Sequence, residues 1–212
     1  MAKGSERVSK PLRIVGLGGS LAAVSKSRGA LVTALEGAAA AGADAALLDL
    51  RELDLPMFSL EAEPSTAVLG MVETLESADG LLWSSPLYQG SISGSFKNAL
   101  DWLHLPSGNV YLADKVIGLI AVAGGAQGLQ AVNTMEFSVR ALRGWAVPLV
   151  VPIPSAARVF DAEGRLQDES VERQLKMLGS EVVRVADHFR VEESPDHAVE
   201  CQKASERIAA AA

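Results

Sequence analysis

Three segments rich in glycine and hydroxyl side chains carry the residue types from which a binding site can be built. The first runs Gly16-Leu17-Gly18-Gly19-Ser20-Leu21-Ala22-Ala23-Val24-Ser25-Lys26-Ser27-Arg28. Its glycines allow close backbone approach, and its hydroxyls precede a helix-like stretch. A helix N-terminus presents unpaired N–H groups and about half a positive charge, so Ser20, Ser25 and Ser27 with those amides suit a terminal phosphate. Lys26 and Arg28 add charge nearby. Gly16 and Gly18 also begin a dinucleotide-binding fingerprint, but its third small residue falls on Leu21; in that reading Asp49 would hold a ribose hydroxyl. The plain alternative is a turn whose serines cap the helix.

The second segment, Ser84-Ser85-Pro86-Leu87-Tyr88-Gln89-Gly90-Ser91-Ile92-Ser93-Gly94-Ser95-Phe96, is long for a strand-to-helix turn. Pro86 stiffens it and Gly90 frees its backbone, so N–H groups can face the edge of a flat ring while Leu87, Tyr88 and Ile92 cover the ring's faces. Tyr88 alone reads equally well as a core aromatic. The third, Ala123-Gly124-Gly125-Ala126-Gln127-Gly128, again offers bare backbone donors ahead of a helix, which suits developing negative charge.

These segments must be held by a scaffold, and the apolar pattern supplies one. Strand-like runs start at Leu12, Ala45, Gly80, Lys115 and Ala146, and helix-like stretches over about 27–41, 65–77, 94–104 and 127–143 separate them. Nearly continuous apolar strands alternating with helices indicate a parallel sheet covered on both faces. Residues 167–190 carry Val171, Leu175, Leu178, Val182, Val185 and Phe189 at three-to-four spacing, a final amphipathic helix. In such sheets ligands sit beyond the strands' carboxyl ends, where all three segments fall. The expected organisation is a short N-terminal segment (1–11), one domain (12–190) and a C-terminal tail (191–212).

The chain has 212 residues, 49% hydrophobic and 21% charged, which fits one globular domain. A net charge of -7 argues against a nucleic-acid surface. The lone Cys201 makes no disulfide framework, and no run approaches the ~20 apolar residues of a membrane span, so a cytoplasmic protein without membrane attachment is expected. His104, His188 and His197 lack metal-ligand spacing and no triad is visible, so neither a metal site nor a catalytic side chain is expected. Trp83 reads as core, Trp102 and Trp145 as candidates for a subunit contact, and Lys97 with Asp101 as an ion pair one helical turn apart.

The run from Ser85 to Leu103, SPLYQGSISGSFKNALDWL, closely resembles the central motif of the NAD(P)H-dependent FMN reductases. Asp49-Leu50-Arg51-Glu52-Leu53-Asp54-Leu55-Pro56 and the Gly-Gly-Ala-Gln-Gly segment at 124–128 also look like family features, so the resemblance covers about residues 12–190. It implies a flavodoxin-like three-layer α/β sandwich with a five-stranded parallel sheet of order 2-1-3-4-5. It further implies that Ser20, Ser25, Lys26 and Ser27 serve the FMN phosphate. Pro86, Leu87, Tyr88, Gln89, Gly90 and Ser91 would flank the isoalloxazine, and Gly124, Gly125 and Gln127 would approach its pyrimidine edge. NADPH or NADH is the implied donor; free flavin, a quinone, an azo compound or a metal oxyanion is the acceptor. A flavin-dependent monooxygenase is one implied partner, although Ile92 stands where relatives serving sulfonate monooxygenases can carry Tyr. A homodimer or homotetramer is implied. Many relatives carry Arg where this chain has Ala22. The rival reading is a flavodoxin-type electron carrier that does not itself oxidise NAD(P)H.

Overall fold

A computed structural model describes residues 10–104 and 111–190. Residues 1–9 and 105–110 and the tail 191–212 with His197 and Cys201 lie outside the described residues.

Five strands, β1 (Arg13–Gly18), β2 (Asp44–Asp49), β3 (Gly80–Pro86), β4 (Val116–Val122) and β5 (Trp145–Ile153), form one sheet. All pairs are parallel and the order is β2-β1-β3-β4-β5, as expected. The central strands β3 and β4 are buried along their whole length, because helices cover both faces. Helices α1 (Lys26–Ala40) and α7 (Glu169–Phe189) lie over one face, where Leu31, Leu35, Leu175, Leu178 and Val182 pack on Ile14, Leu82 and Ile120. Over the other, α3 (Thr66–Glu76), α4 (Gly94–Asp101) and α5 (Leu129–Ala141) bury Met71, Leu75, Phe96 and Met135 against Leu17, Trp83 and Leu119.

Serine and aspartate start most of these helices, each accepting from a backbone N–H of the first turn: Ser25 for α1, Ser65 for α3, Ser93 for α4 and Asp168 for α7. Two short helices escaped the sequence pattern, α2 (Leu50–Leu53) and α6 (Ala156–Val159), each too short to show a period. The helix expected to reach residue 104 ends at Asp101 and tightens into a 3₁₀ turn over Trp102–His104. Below the sheet, Lys115 donates to the Glu76 and Ala78 carbonyls at the end of α3, and burial lowers its pKa despite the Asp79, Glu76 and Asp114 carboxylates.

Where α1 and α7 cross, two glycines replace side chains by backbone contact. A Cβ on Gly179 would stand 1.9 Å from the Ala34 carbonyl oxygen, and one on Gly37 2.3 Å from that of Lys176. At the sheet's margin the register of β4 and β5 shifts between Ile117 and Leu119; β5 carries the exposed Pro148 within the irregularity and Pro152 further on.

Candidate functional site

β1 is the strand at which the chain order reverses, since β2 lies on one side of it and β3 on the other. The loops after β1 (L1, residues 19–25), β3 (L2, 87–93) and β4 (L3, 123–128) therefore open side by side at one end of the sheet. A buried network of serines joins the first two. Gly19 N–H donates to the Ser84 carbonyl at 2.8 Å, and the Ser93 and Ser95 hydroxyls both donate to the Gly19 carbonyl. The Ser84 hydroxyl reaches the Ser27 carbonyl at 2.8 Å, and Ser85 Oγ accepts from the Ser93 N–H at 3.0 Å. Phe96 closes on Gly19 so tightly that an added Cβ would lie 2.8 Å from its ring.

At the end of L1, Ser25 and Ser27 meet on the first turn of α1, while Ser20 stands at the start of the loop. Ser25 Oγ lies 3.1 Å from Ser27 Oγ and caps the helix through the Arg28 N–H, while Ser20 Oγ accepts from Ala22 N–H at 3.2 Å. Ser20 and Ser27 are buried, Ser25 and Lys26 half-buried. Arg28 does not stand free: its Nε donates to the buried Asp49 carboxylate at 2.7 Å. The other Asp49 oxygen accepts from the Arg51 N–H at 3.0 Å, so this carboxylate caps α2 and holds Arg28 at once.

L2 contains a two-residue hairpin. Tyr88 and Ser91 exchange N–H···O bonds of 2.9 and 3.0 Å, with Gln89 at φ 48° and Gly90 at φ 83° between them. Both central residues at positive φ make a type I′ turn, so Gly90 is required by the turn itself. Pro86 is the buried last residue of β3, Leu87 is half-buried, and Ser91 Oγ reaches Thr134 Oγ1 at 3.5 Å. Tyr88 is 54% exposed, which removes the core reading for it. Ile92, expected to cover a ring, packs instead into the core. L3 is anchored at its base, where the Ala123 N–H donates to Ile153 and the Gly125 carbonyl accepts from Ser155, and its tip from Gly124 to Gln127 is exposed.

The tryptophans separate. Trp83 is core as expected. Trp102, expected as a subunit-contact candidate, is fully buried, stacked edge-on to Phe58 and bonded through Nε1 to the Pro56 carbonyl at 2.9 Å, which overturns that reading. Trp145 is 55% exposed beside Phe189. His104 and His188 are exposed, and Lys97 pairs with Asp101 at the surface.

One feature at the site lay outside the sequence reading. A cavity of about 540 Å³ adjoins L1, between the α1 N-terminus, the end of β2 and the turn at 163–166. Ser25, Arg28, Asp49 and Arg51 line it, and Arg51 donates to the Leu21 carbonyl at 2.7 Å. Arg165, at its rim, pairs with Asp161, whose hydrogen bond and charge raise the arginine's pKa above its ordinary value. Arg51 stands in the Asp49–Pro56 segment, but its partner Leu21 lies 30 residues away, so no local signal announces the bond between them.

The glycines of L2 and L3 leave room for a flat group held by backbone donors. A Cβ on Gly124 or Gly125 would meet nothing within 4 Å, and on Gly90 only the Gln130 amide oxygen at 3.5 Å, whereas the glycines beneath, Gly16, Gly19 and Gly118, are each filled by a neighbour at 2.8 Å. Protein packing therefore leaves the loop tips bare.

Among the described residues no helix is long and apolar enough to cross a membrane. The NADPH-dependent FMN reductase family model matches residues 12–158. An NADPH-dependent FMN reductase (ArsH) of Acidithiobacillus ferrooxidans is 36% identical over 101 residues, 47% of this chain; the match spans less than half, 43%, of that relative's length. An NADPH:quinone oxidoreductase of Arabidopsis thaliana is 30% identical over 80% of this chain and 89% of its own. Among solved structures, a flavoenzyme NAD(P)H:(acceptor) oxidoreductase of Paracoccus denitrificans superposes with a TM-score of 0.70 over 84% of this chain and 98% of that one, at 22% identity, a likeness of fold. A family model that covers most of the chain, on a sheet of flavodoxin-like strand order, makes the protein a member of the NADPH-dependent FMN reductase family.

Proposed function

We propose that the protein binds FMN across L1, L2 and L3 and catalyses NAD(P)H-dependent reduction of it, passing the electrons to a small-molecule acceptor. The observation that carries this reading is the set of loop-tip glycines that protein packing leaves bare, Gly124 and Gly125 above all, beside a serine-lined helix N-terminus. Bound FMN would supply the redox chemistry, taking a hydride from the dihydronicotinamide and returning two electrons to the second substrate. The chain's residues bind and orient. Ser20, Ser25, Lys26 and Ser27 with the first amides of α1 hold the phosphate; the hairpin from Pro86 through Leu87, Tyr88, Gln89 and Gly90 to Ser91 fixes the ring; and the N–H groups of Gly124 to Gln127 face its pyrimidine edge, where negative charge accumulates on reduction. The serine network between Gly19, Ser84 and Ser93 keeps phosphate and ring subsites at a fixed separation. Nicotinamide and acceptor use the open face in turn, so ping-pong kinetics follow. Free flavin, quinones, azo compounds and metal oxyanions are the acceptor classes, a flavin-dependent monooxygenase is a candidate protein recipient, and the assembly is a homodimer or homotetramer, which light scattering reads against the monomer mass.

Anaerobic mixing of the FMN-loaded protein with excess NADPH or NADH is the test. The expected result is bleaching of the flavin's visible absorbance; absorbance unchanged by either nucleotide would replace this reading by the electron-carrier one.

Gly90→Val tests the ring subsite. A β-branched residue at φ 83° is strained by about 1–3 kcal/mol, and the I′ turn opens. Because the space around Gly90 is open, the fold itself tolerates the side chain. The expected outcome is a cooperatively melting protein that no longer quenches flavin fluorescence, and quenching equal to the parent's would remove L2 from the site.

A further inference from the structure

A turn that belongs to none of the three loops is built against the outer side of L1. It follows β5 and closes on itself: Phe160 and Leu166 pair as an antiparallel bridge, the Asp161 N–H donates to the Arg165 carbonyl at 3.0 Å, and the Gly164 N–H donates to the Asp161 carbonyl at 3.1 Å. The Asp161 carboxylate fastens the rest. Its Oδ1 accepts from the Glu163 and Arg165 N–H groups at 3.0 and 2.8 Å, and its Oδ2 from Arg165 Nε at 2.7 Å and Gln167 Nε2 at 3.1 Å. Buried Phe160 roots the turn in the core that α1 and α7 share. From that root the turn meets the start of α1 through backbone. A Cβ on Gly29 would stand 2.5 Å from the Gly164 carbonyl oxygen. One on Gly164, which lies at φ 78°, would stand 3.1 Å from a Val24 methyl and 3.6 Å from the Ser25 carbonyl. Glycine on both sides permits so close a contact.

We propose that this turn braces the end of L1 against α1, which makes Asp161 a positioning residue for FMN although it lies outside the binding loops. A helix N-terminus binds a phosphate only while its amides and the neighbouring hydroxyls converge on one point. L1 needs support to keep that shape, because its residues Leu21 to Val24 are exposed. At its start the loop is tied by the Gly19 N–H to the Ser84 carbonyl, and at Leu21 by Arg51. At its end the contacts of Gly164 fall on Val24, Ser25 and Gly29, where the chain enters the helix. A loop held in its binding shape before the ligand arrives spares the cost of ordering it, and affinity rises accordingly. The positioning role rests on the reading of L1 as the FMN phosphate site; the brace itself is a property of the ligand-free chain.

Three variants are compared with the parent. Asp161→Ala removes every side-chain bond that closes the turn, whereas in Asp161→Asn the amide oxygen still accepts the Glu163 and Arg165 N–H groups. Gly29→Ala pushes the turn off α1 from the other side; alanine is the better helix former, so a loss there reports the contact and not the helix. Affinities for FMN and riboflavin are read by quenching of flavin fluorescence. Asp161→Ala and Gly29→Ala are expected to weaken FMN about 3–10-fold, the scale of one misplaced hydrogen bond, and to leave riboflavin unchanged, because the brace acts at the phosphate end. Asp161→Asn should recover most of the loss. A parental ratio of FMN to riboflavin affinity in either alanine variant, which a purely structural role would give, overturns the proposal, as does an Asp161→Asn variant no better than Asp161→Ala. Hydrogen exchange of the ligand-free protein tests the brace without flavin: Asp161→Ala should speed exchange of the Arg28 and Gly29 amides and leave those of β3 and β4 unchanged. A parent that neither quenches nor bleaches flavin overturns the proposed function, and exchange then decides alone. Faster exchange at Arg28 and Gly29 upholds the brace; exchange equal to the parent's overturns it.

Discussion

Replacing Ser20, Ser25 and Ser27 together by alanine is expected to weaken FMN binding by about 10²–10⁴-fold while riboflavin, which lacks the phosphate, changes little. Each hydroxyl lost from a phosphate dianion costs about 1.5–3 kcal/mol. The three effects will not simply add, because Ser25 and Ser27 share a hydrogen bond of 3.1 Å. Ser25→Ala also removes the cap of α1, worth about 1 kcal/mol of stability, so the triple variant should melt somewhat lower. The amides and dipole of α1 remain, which keeps the loss finite. The ratio of FMN to riboflavin affinity separates loss of phosphate contacts from loosening of the loop. A triple variant that retains the parent's ratio would move the phosphate away from L1.

Gly179→Ala is expected to be among the most damaging single methyl additions to the fold, costing about 3 kcal/mol or more, at or beyond the upper end for overpacking. Its Cβ would fall 1.9 Å from a backbone oxygen of α1, and a backbone cannot swing aside as a side-chain tip can. The helices must separate, and the Leu31, Leu175 and Leu178 contacts beneath them loosen. The same change at Gly70, exposed on α3 with nothing within 4 Å, should instead stabilise by about 0.5–1 kcal/mol, since alanine is the better helix former. Urea unfolding of both variants checks the contrast; equal midpoints would mean that the crossing is not a backbone contact.

The sheet, its helices and the three loops were legible because each rests on local signals: continuous apolar runs for β3 and β4, a three-to-four period for α7, and Gly-Ser clusters at strand ends. Side-chain partnership across long separations was not. Ser27 and Ser84, 57 residues apart, meet through a carbonyl and a hydroxyl, and Gly19 is gripped by serines more than 70 residues away. Asp49 reads in sequence as a candidate ribose ligand, yet Arg28 and the Arg51 amide occupy it. The position of Trp102 turned on one bond to Pro56, 46 residues earlier. Gly90 was singled out for its freedom, but the reason for that freedom, a hairpin turn closed by Tyr88 and Ser91, emerges only from the backbone angles.

The two prolines of β5 bear on how copies of this chain can meet. β5 is an outer strand, and an outer strand offers a row of unspent backbone donors and acceptors on which a second sheet can grow. Pro148 and Pro152 each delete a donor from β5, and the slipped register at Pro148 spoils the regular spacing that another strand would have to match. This edge is thereby made a poor template for sheet extension. Contact between copies on this side is steered toward side chains and helix surfaces, and away from the open-ended stacking that leads to fibres.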